Sequence, residues 1–225
     1  KIIWRKNVIL ATGGPAGMYH DSVYPVSQTG STGMAFEAGA SGKNLTEWQF
    51  GMASLNPRWN VSGTYMQVLP SFISTDQDGN DEKEFLLDYF NELPDLLSMV
   101  FLKGYQWPFD VNKIFGGSSV IDLLVYQETV LKKRRVFLDY RVNPGNLEKD
   151  RDLPYASMIP EAKEYLSQAG ACFGTPIERL KHMNEPAILF YQDHHVDLFK
   201  ERLEIAVCAQ HNNGGLSTNH LWETN

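Results

Sequence analysis

The chain has 225 residues, enough for one large or two small domains, and its 43% apolar content is sufficient for a packed core. Its net charge is −7, from 20 basic and 27 acidic residues. This excludes nucleic acid or an anionic membrane as a general partner, because the overall field attracts neither. No apolar run reaches the roughly 18 residues that a transmembrane segment needs. Two cysteines, Cys172 and Cys208, are too few for a disulfide framework and predict buried reduced thiols in a cytoplasmic protein.

The N-terminal stretch Val8-Ile9-Leu10 predicts a buried strand, and Ala11-Thr12-Gly13-Gly14 follows it directly. Glycines in this position let the backbone approach a flat or anionic ligand, although a tight turn after a core strand gives the same pattern. A second Gly-Gly pair lies in His211-Asn212-Asn213-Gly214-Gly215, near the other end. The chain begins within an apparent strand and stops without a helix or cap, so we expect it to be an excised piece of a longer protein.

The next predicted elements are a short helix and a strand. The helix runs from Ser31 or Thr32 to Ala38 and is ended by Gly39 in the left-handed conformation. The strand covers 44–50 and places Gln49, Phe50 and Gly51 together at its end. That end is either a ligand-facing group or a strand that simply enters a loop.

The stretch 52–80 is rich in Pro and Gly and predicts irregular structure, with a possible strand at 61–69. Residues 76–81 resemble part of a calcium loop, but the spaced ligands do not continue, so we predict a surface turn. Apolar residues at helical spacing predict a helix over 84–99 that Pro94 ends or kinks. The aromatic-rich segment 103–110 predicts a packed corner in preference to a lid over a pocket.

In the second half, Ser118 and Ser119 are predicted to cap a helix that runs to Leu131. The four basic residues 132–135 lie at the C-terminal end of this helix, where the helix dipole favours cations. Because the dipole explains them, they do not indicate a nucleic-acid patch. A strand over 136–140 and a turn at 143–145 follow.

Helices are then predicted over 161–169, from Thr175 to about His182, and again from Asn184. Thr175 and Glu178 have capping-box spacing. The two histidines in 193–197 point about 100° apart on a helix. With no third ligand at useful spacing, they predict no metal site. A strand over 203–209 delivers Gln210 and His211 to its end.

Four motifs in this order resemble the FAD-dependent flavoprotein subunits of fumarate reductase and succinate dehydrogenase, and their relative L-aspartate oxidase. They are Val8 to Gly14, Thr29-Gly30 before a helix ending in Ala38-Gly39-Ala40, Glu47-x-Gln49-Phe50, and His211-x-x-Gly214-Gly215. The likeness covers both ends of the chain well and the middle loosely, chiefly through 135–139.

The resemblance implies an α+β fold, the capping domain of such a flavoprotein with partial FAD-domain strands at both ends. Residues 1–52 would end the first FAD-domain segment, 53–205 would form the capping, substrate-binding domain, and 206–225 would begin the returning segment. The family's dinucleotide fingerprint and its C-terminal flavin-closing stretches lie outside this chain, so the pyrophosphate has no helix N-terminus to bind. We therefore expect FAD in the full-length parent and not on this piece alone.

The resemblance also implies hydride transfer between FAD and a small, carboxylate-bearing substrate, with the remainder of the FAD domain and an electron-transfer protein as partners. Its cofactor-binding residues are Ala11, Thr12, Gly13, Gly14, Thr29, Gly30, Gln49 and Phe50. His211 corresponds to the catalytic histidine of the His-x-x-Gly-Gly motif.

Two departures from the family pattern put a fumarate or succinate substrate in doubt, and a third weakens a contact with FAD. The histidine that follows Gln-Phe in the family is Gly51 here, which removes a carboxylate ligand. The segment that carries the family's catalytic arginine has no counterpart. Arg58 is the one basic residue between Gly51 and Glu82, and so it is the candidate proton donor. The aspartate that usually follows Thr-Gly in the family is replaced by Ser31 here. Two other readings stay open: a non-catalytic binding or interaction domain that keeps the fold, and, ranked last, a free-standing α/β enzyme without flavin.

Overall fold

A computed structural model describes residues 5–14, 16–24, 31–146 and 153–225, and the fold is α+β. The strands are β1 (Gly42–Lys43), β2 (Trp48–Leu55), β3 (Arg58–Asn60), β4 (Ser71–Thr75), β5 (Arg135–Asp139), β6 (Leu203–Asn212) and β7 (Gly215–Leu216). The α-helices are α1 (Thr32–Glu37), α2 (Thr64–Gln67), α3 (Leu93–Lys103), α4 (Ser119–Tyr126), α5 (Pro160–Gln168) and α6 (Pro176–Asp193).

Five strands form an antiparallel sheet in the order β3-β2-β6-β5-β4, while β1 pairs separately with β7. The long central pair, β2 and β6, joins residues from the two ends of the chain. Phe50 lies opposite Ala209 and Gln49 lies opposite His211, so Gln210 is the extra residue of a β-bulge. The predicted domain boundaries at 52/53 and 205/206 fall within these two strands.

The two faces of the β2–β6 pair have different neighbours because side chains alternate along each strand. Met52 and Ile205 belong to the main core, where the Ser54 hydroxyl lies 2.9 Å from the Tyr191 hydroxyl of α6. On the other face Ala53 and its neighbours Ala206 and Cys208 form a small second cluster, against which Val23 packs. Helix residues therefore pack on the first face, and Val23 of the N-terminal segment packs on the second.

The segment 16–24 lies along the sheet near the bulge. Ser22 forms a parallel bridge with Ala209, and the Tyr19 ring packs edge-on against the rings of Trp48 and Phe50, with centroids 4.7 and 5.9 Å away. These contacts connect the chain that follows Gly14 to the start of β2.

The buried strand predicted at Val8-Ile9-Leu10 is wrong. Val8 and Ile9 are 84% and 93% exposed and belong to no strand. An apolar run identifies a buried strand only if another element covers it, and within the described ranges nothing does so here. The N-terminal strand expected at 1–5 lies mostly outside the described residues.

Two predictions in the middle of the chain are also wrong. The possible strand at 61–69 is the helix α2, because a short fully buried run fits either structure. The single helix at 84–99 is a 3-10 turn, Phe85–Asp88, followed by α3. Pro94 lies in the first turn of α3, directly after Leu93, instead of ending a helix, since the first turn needs no backbone donor there.

The strand expected at 44–50 starts later, at Trp48, and continues to Leu55, so Gly51 lies inside β2. The predicted serine cap of α4 forms no capping hydrogen bond, and α4 passes into a π-helical turn over Gln127–Leu131. Of the two cysteines, Cys208 is buried as expected but Cys172 is exposed.

Several predicted elements are confirmed: α1 with Gly39 at φ +96°, the surface turn at 76–81, β5, α5 with Gly170 at φ +63°, and β6. The Thr175–Glu178 capping box is present at the start of α6, which is interrupted at Asn184, as the separate prediction of two helices indicated. Among the described helices none is long and apolar enough to cross a membrane.

Candidate functional site

The structure brings two predicted site residues, Gln49 and His211, side by side. They are register partners on β2 and β6, and such opposed residues share one face with Cβ atoms about 5 Å apart. Gln49 is half-buried and His211 is exposed. Beyond them, the Asn213 backbone N–H donates to Glu47 O at 2.7 Å and keeps the chains paired. A carboxamide and an imidazole are thus held together at the rim of the sheet.

Next to this pair, the missing side chain of Gly51 makes room for the indole of Trp107. A Cβ at Gly51 would lie 2.6 Å from Trp107 Nε1 and 3.4 Å from Gln210 Cγ. Gly51 and Gln49 share a face of β2, because they are two residues apart. The loop that carries Trp107 is attached to the strand by Phe109 N–H, which donates to Phe50 O at 2.7 Å. This loop is the packed corner predicted for 103–110.

Gln210, the bulge residue, was not singled out as a site residue from the sequence. It is 5% exposed, and its Nε2 donates to Gly51 O at 2.9 Å and to Met52 O at 3.4 Å. These two bonds fix the amide orientation, because only the nitrogen can donate to carbonyl oxygens. Its Oε1 and Trp107 Nε1 are both buried and have no hydrogen-bond partner within the described ranges. Such orphaned atoms cost about 1–3 kcal/mol each.

The structure does not bring Arg58 to Gln49 and His211. Arg58 pairs with Leu55 at the far end of β2, about 20 Å along the strand from Gln49 at ordinary strand rise. Its Nη2 donates to His20 O at 2.8 Å and its Nη1 to Tyr24 O at 3.2 Å. Arg58 therefore attaches the N-terminal segment to the edge of the sheet.

Of the other predicted cofactor-binding residues, the structure describes Ala11 to Gly14 but not Thr29 and Gly30. Ala11, Thr12 and Gly13 are exposed and Gly14 is half-buried. Gly13 has φ +77°, and a Cβ at Gly14 would meet no atom of the described residues within 4 Å. Thr29 and Gly30 lie outside the described residues, and so does the Thr-Gly motif that they form.

The second Gly-Gly motif has a steric role in this chain. A Cβ at Gly214 would overlap the carbonyl group of Asn44 and lie 2.6 Å from Lys43 O. The neighbouring Gly215 pairs with Lys43 in the small β1–β7 sheet. Gly214 is therefore required where the returning chain crosses β1 closely, just beyond His211.

Three titratable groups near the site have shifted pKa values. Burial raises the pKa of Cys208 to about 12, so its thiol is protonated at neutral pH and is a poor nucleophile. At the base of the Trp107 loop, Lys103 and Asp122 form an ion pair whose side chains are 1% and 2% exposed. Burial lowers the pKa of Lys103 and raises that of Asp122. The pair anchors the end of α3 to α4.

Metal ligands and cavities do not identify another site. In the part of the chain that the structure describes, no three His, Cys, Asp or Glu residues are grouped to hold a metal ion. Two shallow depressions of about 370 and 390 Å³ lie along α5 and beside Arg141 and Arg202. Neither is lined by Gln49 or His211.

No family model matches this chain, and no curated protein matches it in sequence. Among solved structures, the chain is similar to a chain of a quinol-fumarate reductase with menaquinol molecules, at 20% sequence identity and a TM-score of 0.47. The similarity covers 96% of this chain and 31% of that one. This chain thus spans about a third of the length of the chain that it matches.

Proposed function

We propose that this chain is the capping domain and part of the flavin-binding domain of an FAD-dependent oxidoreductase. The full protein would transfer hydride between FAD and a small carboxylate-bearing substrate. Its partners would be the remainder of the FAD domain and an electron-transfer protein, in the cytoplasm. The division into 1–52, 53–205 and 206–225 belongs to this proposal. The chain alone is inactive, because it lacks the dinucleotide fingerprint.

The observation that supports the proposal most is the pairing of Gln49 with His211. The two residues come from motifs at opposite ends of the chain, and the resemblance assigns both to one catalytic centre. Their register across β2 and β6 gives them a common face. Sequence proximity cannot produce this arrangement, since the strands meet only in the folded sheet.

The backbone around Gly13 and Gly14 fits a flat cofactor. Ala11 to Gly13 are exposed and no atom of the described residues lies within 4 Å of a Cβ at Gly14, so these residues leave room for a ring to approach this backbone. FAD, when bound, supplies the hydride donor or acceptor. Gln49 would hydrogen-bond the ring, with Phe50 beside it. His211 would hold a substrate carboxylate, or donate to an oxygen on which negative charge develops.

A second candidate, a non-catalytic binding domain that retains the fold, has one specific observation in its favour. Both guanidinium nitrogens Nη1 and Nη2 of Arg58 donate to main-chain carbonyls of the N-terminal segment. The one candidate proton donor from the sequence is thus occupied in a structural role. Under this alternative, His211 has no catalytic task.

The two candidates are separated by substituting His211 in the full-length protein. Its flavin is reduced chemically without oxygen and mixed with three unsaturated acids, fumarate, fumaramate and crotonate, while flavin reoxidation is followed. The oxidoreductase proposal expects His211→Ala to slow the reacting acid by about 100-fold or more. His182→Ala, on the exposed side of α6, is the control and is expected to leave the rate unchanged.

An unchanged rate in His211→Ala would contradict the proposed role of the histidine. Failure of all three acids to reoxidise the flavin would favour the non-catalytic alternative. Flavin absorbance that purifies with the isolated 225-residue chain would contradict the statement that the chain cannot hold FAD by itself.

A further inference from the structure

Trp107 and Gln210 form a polar niche that the proposed chemistry does not use. We define this niche by Trp107 Nε1, Gln210 Oε1 and the bare backbone of Gly51. The two polar atoms are buried without hydrogen-bond partners in the described part of the chain. Trp107 Nε1 and Gln210 Cγ would lie 2.6 and 3.4 Å from a Cβ at Gly51, so the two side chains meet over this glycine.

The niche offers one donor and one acceptor, and neither carries a charge. The indole nitrogen of Trp107 can only donate. Gln210 Oε1 can only accept, and its orientation is fixed because Nε2 already donates to Gly51 O and Met52 O. A group that satisfies both atoms must itself accept one hydrogen bond and donate another. A hydroxyl or a primary carboxamide does this. A carboxylate cannot donate, and its negative charge is repelled by the lone pairs of Oε1 that have no donor.

The position of the niche connects it with the proposed catalytic pair. Gln49 and Gly51 are two residues apart on one face of β2, about 7 Å along the strand, and His211 is opposite Gln49. A small molecule whose carboxylate lies at His211 can therefore extend its other end to the niche.

We propose that Trp107 and Gln210 select the substrate of this site, a small carboxylate whose second polar group is a hydroxyl or a primary carboxamide. The inference rests on the proposed function and deepens it by naming the substrate class. A dicarboxylate is disfavoured, because its second charge would be buried against an uncharged donor and an acceptor oxygen.

Entry to the niche requires the Trp107 side chain to turn outward, since both polar atoms are covered. Trp107 lies in the loop between α3 and the 3-10 turn Val111–Lys113. Its rotation therefore disrupts no helix or strand. Binding would bring both orphaned atoms into hydrogen bonds, and recovering their cost favours the closed, occupied arrangement.

The first test observes the indole N–H of Trp107 directly and needs no flavin. In the nitrogen-15-labelled full-length protein, prepared without flavin, its resonance is identified by its loss in Trp107→Phe. Butyrate, succinate and succinamate differ at one end only, which is a methyl, a carboxylate or a primary carboxamide. We expect succinamate to shift the Trp107 resonance and the other two to leave it unmoved. Trp59, 46% exposed on β3, provides an internal control resonance. No shift at saturating succinamate, or an equal shift with succinate, would overturn the proposal.

The second test measures preference in the flavin-loaded full-length protein, through the change in the flavin spectrum on binding. We expect succinamate to bind at least about tenfold more tightly than succinate. Trp107→Phe and Gly51→Ala should bring that ratio close to one, the latter because its Cβ displaces the indole. Trp59→Phe should preserve the ratio. A ratio unaffected by Trp107→Phe refutes the niche, whereas a full-length protein without flavin refutes the proposed function.

Discussion

At the residue scale, the fold stabilises buried charge in two different ways. Asp139 is 1% exposed and accepts hydrogen bonds from the guanidinium groups of Arg141 and Arg202. Burial alone would raise the pKa of Asp139, but these hydrogen bonds outweigh it and hold the pKa below its usual value. The network ties the end of β5 to the chain entering β6 and, through Arg202, to Glu82.

We expect Asp139→Asn to lower the free energy of unfolding by about 1.5–3 kcal/mol at neutral pH, because two half-buried guanidinium groups lose their charged acceptor while Arg202 keeps its pairing with Glu82. Since the folded-state pKa is lowered, this contribution is complete above the unfolded value of about 3.9 and disappears as pH falls through the folded value. Urea unfolding at several pH values measures it. Asp81→Asn, which removes an exposed partner of Arg134, is the control and should change stability much less. A pH-independent difference would contradict the assignment.

Arg179 is the example of the second way in which the fold stabilises a buried charge. It is fully buried and donates to carbonyl oxygens of Val68, Phe173 and Gly174 and to the Asn143 side chain. Burial lowers its pKa, but a guanidinium remains protonated in proteins. It holds loops from three parts of the chain at one point.

Arg179→Met should therefore destabilise the fold by at least about 3 kcal/mol, because several buried carbonyl oxygens lose their donor at once. Arg179→Lys should recover only part of the loss, since one ammonium cannot reach all of these oxygens. Lys181→Ala, exposed on the same helix, is the matched control. Thermal unfolding that is unchanged in Arg179→Met would show that these bonds contribute nothing net.

At the element scale, α6 begins with a reciprocal cap. The Thr175 backbone N–H and hydroxyl both donate to Glu178 Oε2, at 2.8 and 3.0 Å, and the Thr175 side chain accepts from the Glu178 backbone N–H. Pro176 occupies the first helical position, where no donor is needed. The carboxylate and the hydroxyl thus replace hydrogen bonds that the first turn cannot make internally.

Thr175→Ala is expected to lower the free energy of unfolding by about 1 kcal/mol, through loss of this cap. Thr175→Ser retains the hydroxyl and should restore most of the difference. Equal stability of the Ala and Ser variants in chemical denaturation would exclude a contribution from the hydroxyl.

Elements with local signals could be predicted from the sequence. The capping box of α6, Gly39 and Gly170 at helix ends, and the strands β5 and β6 all depend on residues within a few positions. The elements that were wrong depend on distant partners. Val8 to Leu10 has a strand pattern without a covering element, and Pro94 starts a helix or ends one according to what precedes it.

The residues of the candidate site also separate into those with a signal in the sequence and those that depend on distant partners. Gln49 and His211 could be named from motifs, and their register on neighbouring strands followed from the fold. Gln210 and Trp107 could not be found, because a bulge and an indole over Gly51 arise only when β2, β6 and the 103–110 loop meet. The one sequence signal was Gly51 itself, a glycine inside a strand, which often marks close approach of another group.

At the scale of the whole molecule, the central sheet unites the two ends of the chain. β2 and β6 form its longest pairing, and the segment 16–24 packs on the same strands through Ser22 and Tyr19. Gln49, Phe50 and His211 therefore lie on one sheet, and the helices α2 to α6 contribute to the main core that packs against it.

The central claim is that the full-length protein is a flavoprotein and that this chain supplies one wall of its flavin site. The most direct measurement is the visible absorption spectrum of the purified full-length protein beside that of the isolated chain. The account predicts an oxidised-flavin spectrum in the full-length protein, with near-stoichiometric FAD released on denaturation, and no such spectrum in the chain alone. A full-length protein that neither contains nor takes up FAD would contradict it.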